Sequence, residues 1–168
     1  VFHMDTLAPS VLIQNGMNAT AVITAKRRLK MKNFAIMRHA AVDNSEAITP
    51  ESREVLIRVG RELADKIGGT VRIFHSQYER ARLTAHSLAD ILNGHDNISA
   101  NVVGDIGWLN CDHGWVNDDN IAHELVDGTF AVFVTHQPDM RRYLGQHDVE
   151  MSVTNCALYS PEFIIPGH

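Results

Sequence analysis

The sequence predicts an α/β fold in which a mainly parallel sheet carries helices on both faces. Short apolar runs recur from Phe34 onward, each bounded by turn-forming residues, as buried strands are. Between them lie longer segments whose apolar residues fall three and four positions apart, the repeat of an amphipathic helix. The two kinds alternate. Strands that alternate with helices are joined by crossovers, and a crossover sets its two strands parallel.

Phe34–Met37 is the first predicted strand. Thr49-Pro50-Glu51 opens a helix, with a hydroxyl to cap it, proline at the first helical position and an acid in the first turn. Val55, Leu56, Val59, Leu63 and Ile67 form its apolar stripe, and Gly68-Gly69 stops it. Val71–Phe74 is the second strand and leads into His75 and Ser76. A second helix runs from Arg80 to Leu92, with Ala81, Ala85, Leu88, Ile91 and Leu92 inward and Asn93-Gly94 as its stop. Ile98–Val103 is the third strand. Trp108–Asn120 is rich in Asp, Asn and Gly and reads as a loop over the site. Ile121–Val126 is a short helix, Phe130–Val134 the fourth strand, Pro138–Leu144 the start of a further helix and Val153–Tyr159 the last strand. There is no internal repeat and no low-complexity tract.

A chain of 168 residues, 45% hydrophobic and 21% charged, can bury one sizeable core. Its formal charge of −5 argues against broad attraction to nucleic acid or an anionic membrane. Any anion site must be a local gathering of cations. No apolar stretch is long enough to span a membrane as a helix. Cys111 and Cys156 make neither a disulfide framework nor a zinc pattern, so a reducing, cytoplasmic setting is expected. Residues 1–30 differ from the rest. They carry Lys26, Arg27, Arg28 and Lys30 against Asp5, a net of +3 that leaves −8 on the remainder. Their basic cluster follows the mildly apolar part, the reverse of a secretory signal, although few acids would also suit a mitochondrial presequence.

Met37-Arg38-His39-Ala40 ends the first strand, and open α/β sheets take their ligands at the carboxyl ends of strands. Two other strand-to-helix transitions hold matching parts: Ser76–Ala85 and Val134-Thr135-His136-Gln137-Pro138. Arginine offers a fixed fork of donors that stays charged, which suits a phosphoryl dianion. Imidazole is largely neutral near pH 7 and keeps one lone pair for attack. Such a set can hold a phosphoryl group and attack it in line.

These three segments, in this order, resemble the histidine phosphatase superfamily and its phosphoglycerate mutase-like fold. The short length is most similar to the SixA-type phosphohistidine phosphatases. The resemblance spans Met31 to Tyr159 and implies a three-layer α/β/α sandwich. It implies that His39 is the nucleophile of the family's Arg-His-Gly motif and Arg38 that motif's phosphate-binding arginine. The family's second pattern, Ser-Pro-Leu-x-Arg-Ala-x-Gln-Thr-Ala, is kept at Ser76, Arg80, Ala81, Thr84 and Ala85 and differs at Gln77, Tyr78 and Leu83. Arg80 thereby matches the second phosphate-binding arginine. His136 matches the second histidine, which bonds the phosphoryl oxygens. The resemblance implies no cofactor and no metal.

Two departures bear on the chemistry. Ala40 stands where the motif has glycine, adding a methyl beside the pocket. Many members that cleave phosphomonoesters use a glutamate as general acid after the third strand, where this chain reads Gly107-Trp108-Leu109-Asn110-Cys111-Asp112-His113. Asp112 is the nearest carboxylate, and Asp43 is the other candidate. A phosphohistidine nitrogen leaves with less help than an alkoxide, so the missing acid favours a phosphohistidine on a protein as substrate. A small phosphate ester is the alternative, and a non-catalytic phosphate-binding module is a third reading.

Other residues take plainer readings. Arg82, Arg141 and Arg142 are solvated helix charges, and His75 is a satisfied, partly buried histidine. Cys111, Asp112 and His113 point in different directions and make no metal site. Trp108 and Trp115 anchor their loop. Residues 1–30 form a poorly ordered extension ahead of a domain over 31–168. A chain that begins at Met31 is expected to keep one cooperative thermal transition. Loss of that transition would make the extension part of the fold.

Overall fold

Strand β1 (Phe34–Arg38) leads through α1 (Pro50–Ala64) to β2 (Gly69–His75), α2 (Glu79–Asn93) and β3 (Ile98–Asp105). A 3₁₀ turn (Gly107–Leu109), α3 (Asp118–Glu124), β4 (Thr129–Thr135), α4 (Gln137–Gln146), β5 (Leu158–Tyr159) and β6 (Ile164–Ile165) follow. The structure, a computed structural model, describes residues 31–110 and 116–168. The readings of residues 1–30 and of Cys111, Asp112, His113 and Trp115 therefore lie outside the described residues. The backbone divides into Val1–Lys32 and Asn33–His168, and every element named here belongs to the second unit.

The strands form one sheet in the order β3-β2-β4-β1-β5-β6. The first four are parallel, while β5 and β6 are antiparallel additions on the β1 side. Register decides where the tips fall. Arg38 of β1 pairs with Thr135 of β4, and His75 of β2 pairs with Val134 of β4. The residues that follow each strand therefore leave the sheet at one level.

Strand residues alternate between the sheet's two faces. Ala35, Met37, Val71, Ile73, Val132 and Val134 share one buried cluster with Leu56, Val59 and Leu63 of α1 and Ala81, Ala85, Leu88 and Leu92 of α2. Each large apolar side chain buried there contributes ~1.5–3 kcal/mol. The alternating residues Phe34, Ile36, Phe74 and Phe133 are buried on the opposite face. Phe133 stacks on Phe74 at 5.2 Å and meets Phe34 edge-on at 6.5 Å. Helix α4 packs against β1 and buries Met140, Tyr143 and Leu144. The result is the expected three-layer α/β/α sandwich. Among the described residues no helix is long and apolar enough to cross a membrane.

Local chemistry explains most element boundaries. Thr49 caps α1 by accepting from Ser52 N at 3.2 Å, with Pro50 in the first turn. Such a cap contributes ~1 kcal/mol. Gly60 sits mid-helix because α2 approaches there: a Cβ would lie 2.7 Å from Ile91 Cγ2. Helix α3 begins before the predicted Ile121, since the Asn117 side chain accepts from Asn120 N and two acids fill the first turn.

The predicted last strand, Val153–Tyr159, is corrected. Only Leu158 and Tyr159 are strand. Cys156 has a φ of 62°, which breaks extended backbone just before them. The preceding carbonyls have other work: Val153 O accepts from Arg38 Nη1 at 2.8 Å, and Ala157 O accepts from Arg38 N at 3.0 Å. Strand β6 was not foreseen. Two residues behind Pro161 carry no readable period.

The segment after β6 folds back under this corner. Arg58 donates to Pro166 O at 2.9 Å and to Gly167 O at 2.7 Å, while His168 N donates to Asn155 O at 3.2 Å. A Cβ on Gly167 would lie within 2.6 Å of Ala157 N and closer still to Asn155 O. Backbone atoms cannot yield as a side-chain tip can. Gly167→Ala is expected to cost ~1–3 kcal/mol, read as a lowered melting temperature. An unchanged transition would mean that the segment does not hold this position.

Candidate active site

Three strand tips build the site. The residues after β1, β2 and β4 are His39, Ser76 and His136, and Arg38 ends β1. Central strand β4 ties the tips together: its Thr135 O accepts from His39 N at 3.0 Å, and its Val134 O accepts from Ser76 N at 3.2 Å. Arg80 enters from the first turn of α2.

The four predicted phosphate-site residues, Arg38, His39, Arg80 and His136, meet at this edge. The rings of His39 and His136 lie 5.0 Å apart, centroid to centroid. Arg80 Nη2 stands 3.5 Å from His136 Nδ1, and Ser76 Oγ stands 2.7 Å from His136 Nε2. A Ser76 hydroxyl that donates to Nε2 leaves the hydrogen of a neutral His136 on Nδ1, the nitrogen on the Arg80 side, where an anion shared with the guanidinium can accept it. The Nε atoms of Arg38 and Arg80 are both buried and have no hydrogen-bond partner among the described residues. Two cationic donors left unsatisfied beside two imidazoles suit an anionic ligand.

The His39 ring is oriented by its Nδ1, which lies 2.7 Å from Ala40 O. A carbonyl can only accept, so Nδ1 carries the hydrogen and Nε2 keeps the lone pair. The ring is held well below its ordinary basicity, at about 4. Burial is the main cause, and the Arg80 and Arg38 charges add to it, while the bond to Ala40 O works against it. His39 is thus neutral at pH 7.

The loop after His39 is pinned to α2. Ala40 N donates to Thr84 Oγ1 at 2.9 Å, and the same hydroxyl donates to Arg80 O at 2.7 Å. Thr84 is fully buried. Ala40 is likewise buried, so its methyl is accommodated inside the packing.

Tyr78 is a site residue that sequence reasoning treated only as a departure from a pattern. Its ring meets the His136 ring edge-on at 4.9 Å, and the Arg80 guanidinium carbon lies 5.2 Å from its centroid. The only signal was its place two residues before Arg80. On the loop side, Asn110 Oδ1 accepts from Gln77 N at 2.9 Å, and Leu109 O accepts from the Thr135 hydroxyl at 3.0 Å. Trp108 rests on Phe133 at 5.2 Å, in keeping with an anchor.

Asp43 is occupied elsewhere. It is exposed, and its Oδ1 accepts from Ser45 Oγ at 2.6 Å, Ser45 N at 2.8 Å and Ala47 N at 3.1 Å. Those bonds, the Ser45 hydroxyl first, hold its carboxyl below the usual range. A carboxylate so held is a poor proton donor. Arg82 pairs with Glu79 on the exposed face of α2, and Arg142 lies 3.5 Å from Asp139. His75 is buried with Nδ1 2.8 Å from Ser76 O.

The sheet order and the layers are those of the phosphoglycerate mutase-like fold. Among solved structures, SixA from Agrobacterium tumefaciens, a candidate phosphohistidine phosphatase, superposes with a TM-score of 0.56. That match covers 82% of this chain and 99% of the other at 15% identity, so the likeness is one of fold. A phosphoglycerate mutase from Plasmodium falciparum aligns over 67% of this chain and 72% of its own, at 18% identity and a TM-score of 0.45. No family model and no curated protein sequence matches the chain.

The depressed basicity of His39 has a measurable sign. Its ring is expected to titrate near 4 by NMR, against about 6.5 for the unfolded chain. Below pH 6.5 the unfolded state takes up this proton first, so the contribution to stability is whole above pH 6.5 and is lost as pH falls through about 4. Removing one guanidinium in Arg80→Ala should raise the value in part, because burial remains. Titration of the native ring near 6.5 would show that His39 is solvated.

Proposed function

We propose that this protein is a metal-independent phosphatase that works through a phosphohistidine on His39. The observation that carries the reading is the pairing of a neutral, Nδ1-anchored imidazole with two buried guanidinium groups whose Nε donors have no partner. His39 Nε2 attacks phosphorus, and the bond to the leaving group breaks with its electron pair going to that group. Arg38, Arg80 and His136 hold the equatorial oxygens as charge redistributes. Water then attacks the same phosphorus, the P–N bond breaks, its pair returns to His39, and the proton of the water passes to solvent.

The substrate we favour is a phosphohistidine on a signalling or phosphotransfer protein in the cytoplasm. Asp43 is committed to its own turn, and a general acid is worth ~10²–10⁴ in rate to an ester substrate. A phosphoramidate tolerates that loss, since its leaving nitrogen takes up a proton readily. The buried free thiol of Cys156 suits a reducing compartment.

The test is direct. His39→Ala should abolish turnover, and Arg80→Ala should lower it by ~10²–10³. Wild-type activity should withstand a chelator. Labelled enzyme quenched at alkaline pH should carry phosphate on His39, whereas acid would destroy the adduct. Turnover retained in His39→Ala would end the mechanism. Phosphate binding with no adduct would favour a binding module. Faster turnover of a sugar phosphate than of a phosphohistidine protein, lost in Asp112→Asn, would favour the small-ester reading.

A further inference from the structure

Arg141, read from sequence as a solvated charge, stands in α4, the helix that begins directly after His136. The Gln137 carboxamide, with its oxygen turned toward the guanidinium, accepts from Arg141 Nε at 3.3 Å and Nη2 at 2.7 Å. Arg141 makes no ion pair among the described residues. Beside it lies a cleft of about 540 Å³ lined by Arg141, Leu144, Val149, Glu150, Met151 and Val153. That volume is within the range of sites for small molecules or side chains.

The cleft adjoins the phosphate site through one residue. Val153 lines it, and the Val153 carbonyl accepts from Arg38 Nη1 at 2.8 Å. The charges also feel one another: Arg141 lowers the basicity of Arg38, second only to burial and ahead of Arg80. Three guanidinium groups thus gather at this corner. Arg38 and Arg80 already serve a phosphoryl dianion, which leaves the third cation, held by Gln137 over largely apolar walls.

We infer that this cleft is a second binding site, with Arg141 as its cation, for an anionic group that the substrate carries beside its phosphoryl group. Leu144, Val149, Met151 and Val153 cover the carbon chain between the two charges, and the exposed Glu150 carboxylate repels the anion and so confines it to the Arg141 side of the cleft. The inference rests on the phosphatase reading and narrows its substrates to phosphoryl compounds with a second anion. That anion is an acidic side chain flanking a phosphohistidine or the carboxylate of a small ester.

Calorimetry on the full chain tests it without turnover. The first probes are ω-phosphonocarboxylates of increasing chain length, each against its methyl ester. The second are peptides that carry a stable triazole analogue of phosphohistidine, flanked by Glu or by Gln. Inorganic phosphate reports the phosphate site alone. In at least one series the acidic ligand should bind about tenfold tighter than its neutral partner. Arg141→Ala should bring that ratio near one, and Arg141→Lys should restore part of it. Preference confined to the peptides identifies a protein substrate, and preference confined to the phosphonates a small one. No preference in wild type, or a preference that survives Arg141→Ala, overturns the inference while phosphate binding leaves the phosphatase reading standing. Failure of wild type to bind phosphate takes down both.

Discussion

Parallel register at β4 is the constraint on which the site depends. One strand pairs with β1 on one side and β2 on the other, and it holds Arg38 against Thr135 and His75 against Val134. Its last two carbonyls then accept the first backbone donors beyond its neighbours, His39 N and Ser76 N. Residues far apart in sequence are thereby fixed at one height above the sheet. A slip of one position would turn every strand side chain to the other face and separate the tips. The apolar packing on both faces protects the cluster of Arg38, His39, Arg80 and His136 through this register rather than by touching it.

The second constraint is electrostatic. Arg38, Arg80 and Arg141 gather at one corner of a chain whose net charge is −5. Desolvated like charges oppose folding and favour an anion. The same field and the same burial keep His39 unprotonated, which is what an attacking imidazole needs. The conditions that suit an anion also keep the His39 lone pair free, so in the proposed reaction binding and reactivity share one origin. Ser76 and Tyr78 complete the arrangement by fixing the ring of His136 from two sides.

Much of this was legible in the chain because period and punctuation agree. The Val55–Leu63 stripe behind a Thr-Pro start can only be a helix, although it ends at Ala64, ahead of the Gly68-Gly69 pair expected to stop it, and Gly69 already belongs to β2; the apolar runs before Arg38, Ser76 and His136 can only be strands in such a setting. Strand tips then localise the chemistry. What stayed hidden depends on contacts that sequence spacing does not encode. Strands β5 and β6 are each two residues long and gain their place from a neighbour, not a pattern. The turn that occupies Asp43 is made by Ser45 and Ala47, which look like ordinary loop residues until the chain closes. Tyr78 and Arg141 looked like an odd substitution and a surface charge, since only the third dimension puts them beside His136 and Arg38.

Arg38 takes both of its backbone acceptors, Val153 O and Ala157 O, from a stretch more than a hundred residues downstream. On a ribosome β1 is therefore made more than a hundred residues before the carbonyls that complete its end. Until residues 153–157 have cleared the exit tunnel, the nascent domain holds Arg38 without both carbonyls in place. Completion of the backbone contacts of Arg38 thus follows synthesis of the whole stretch between, whatever the order in which the helices form.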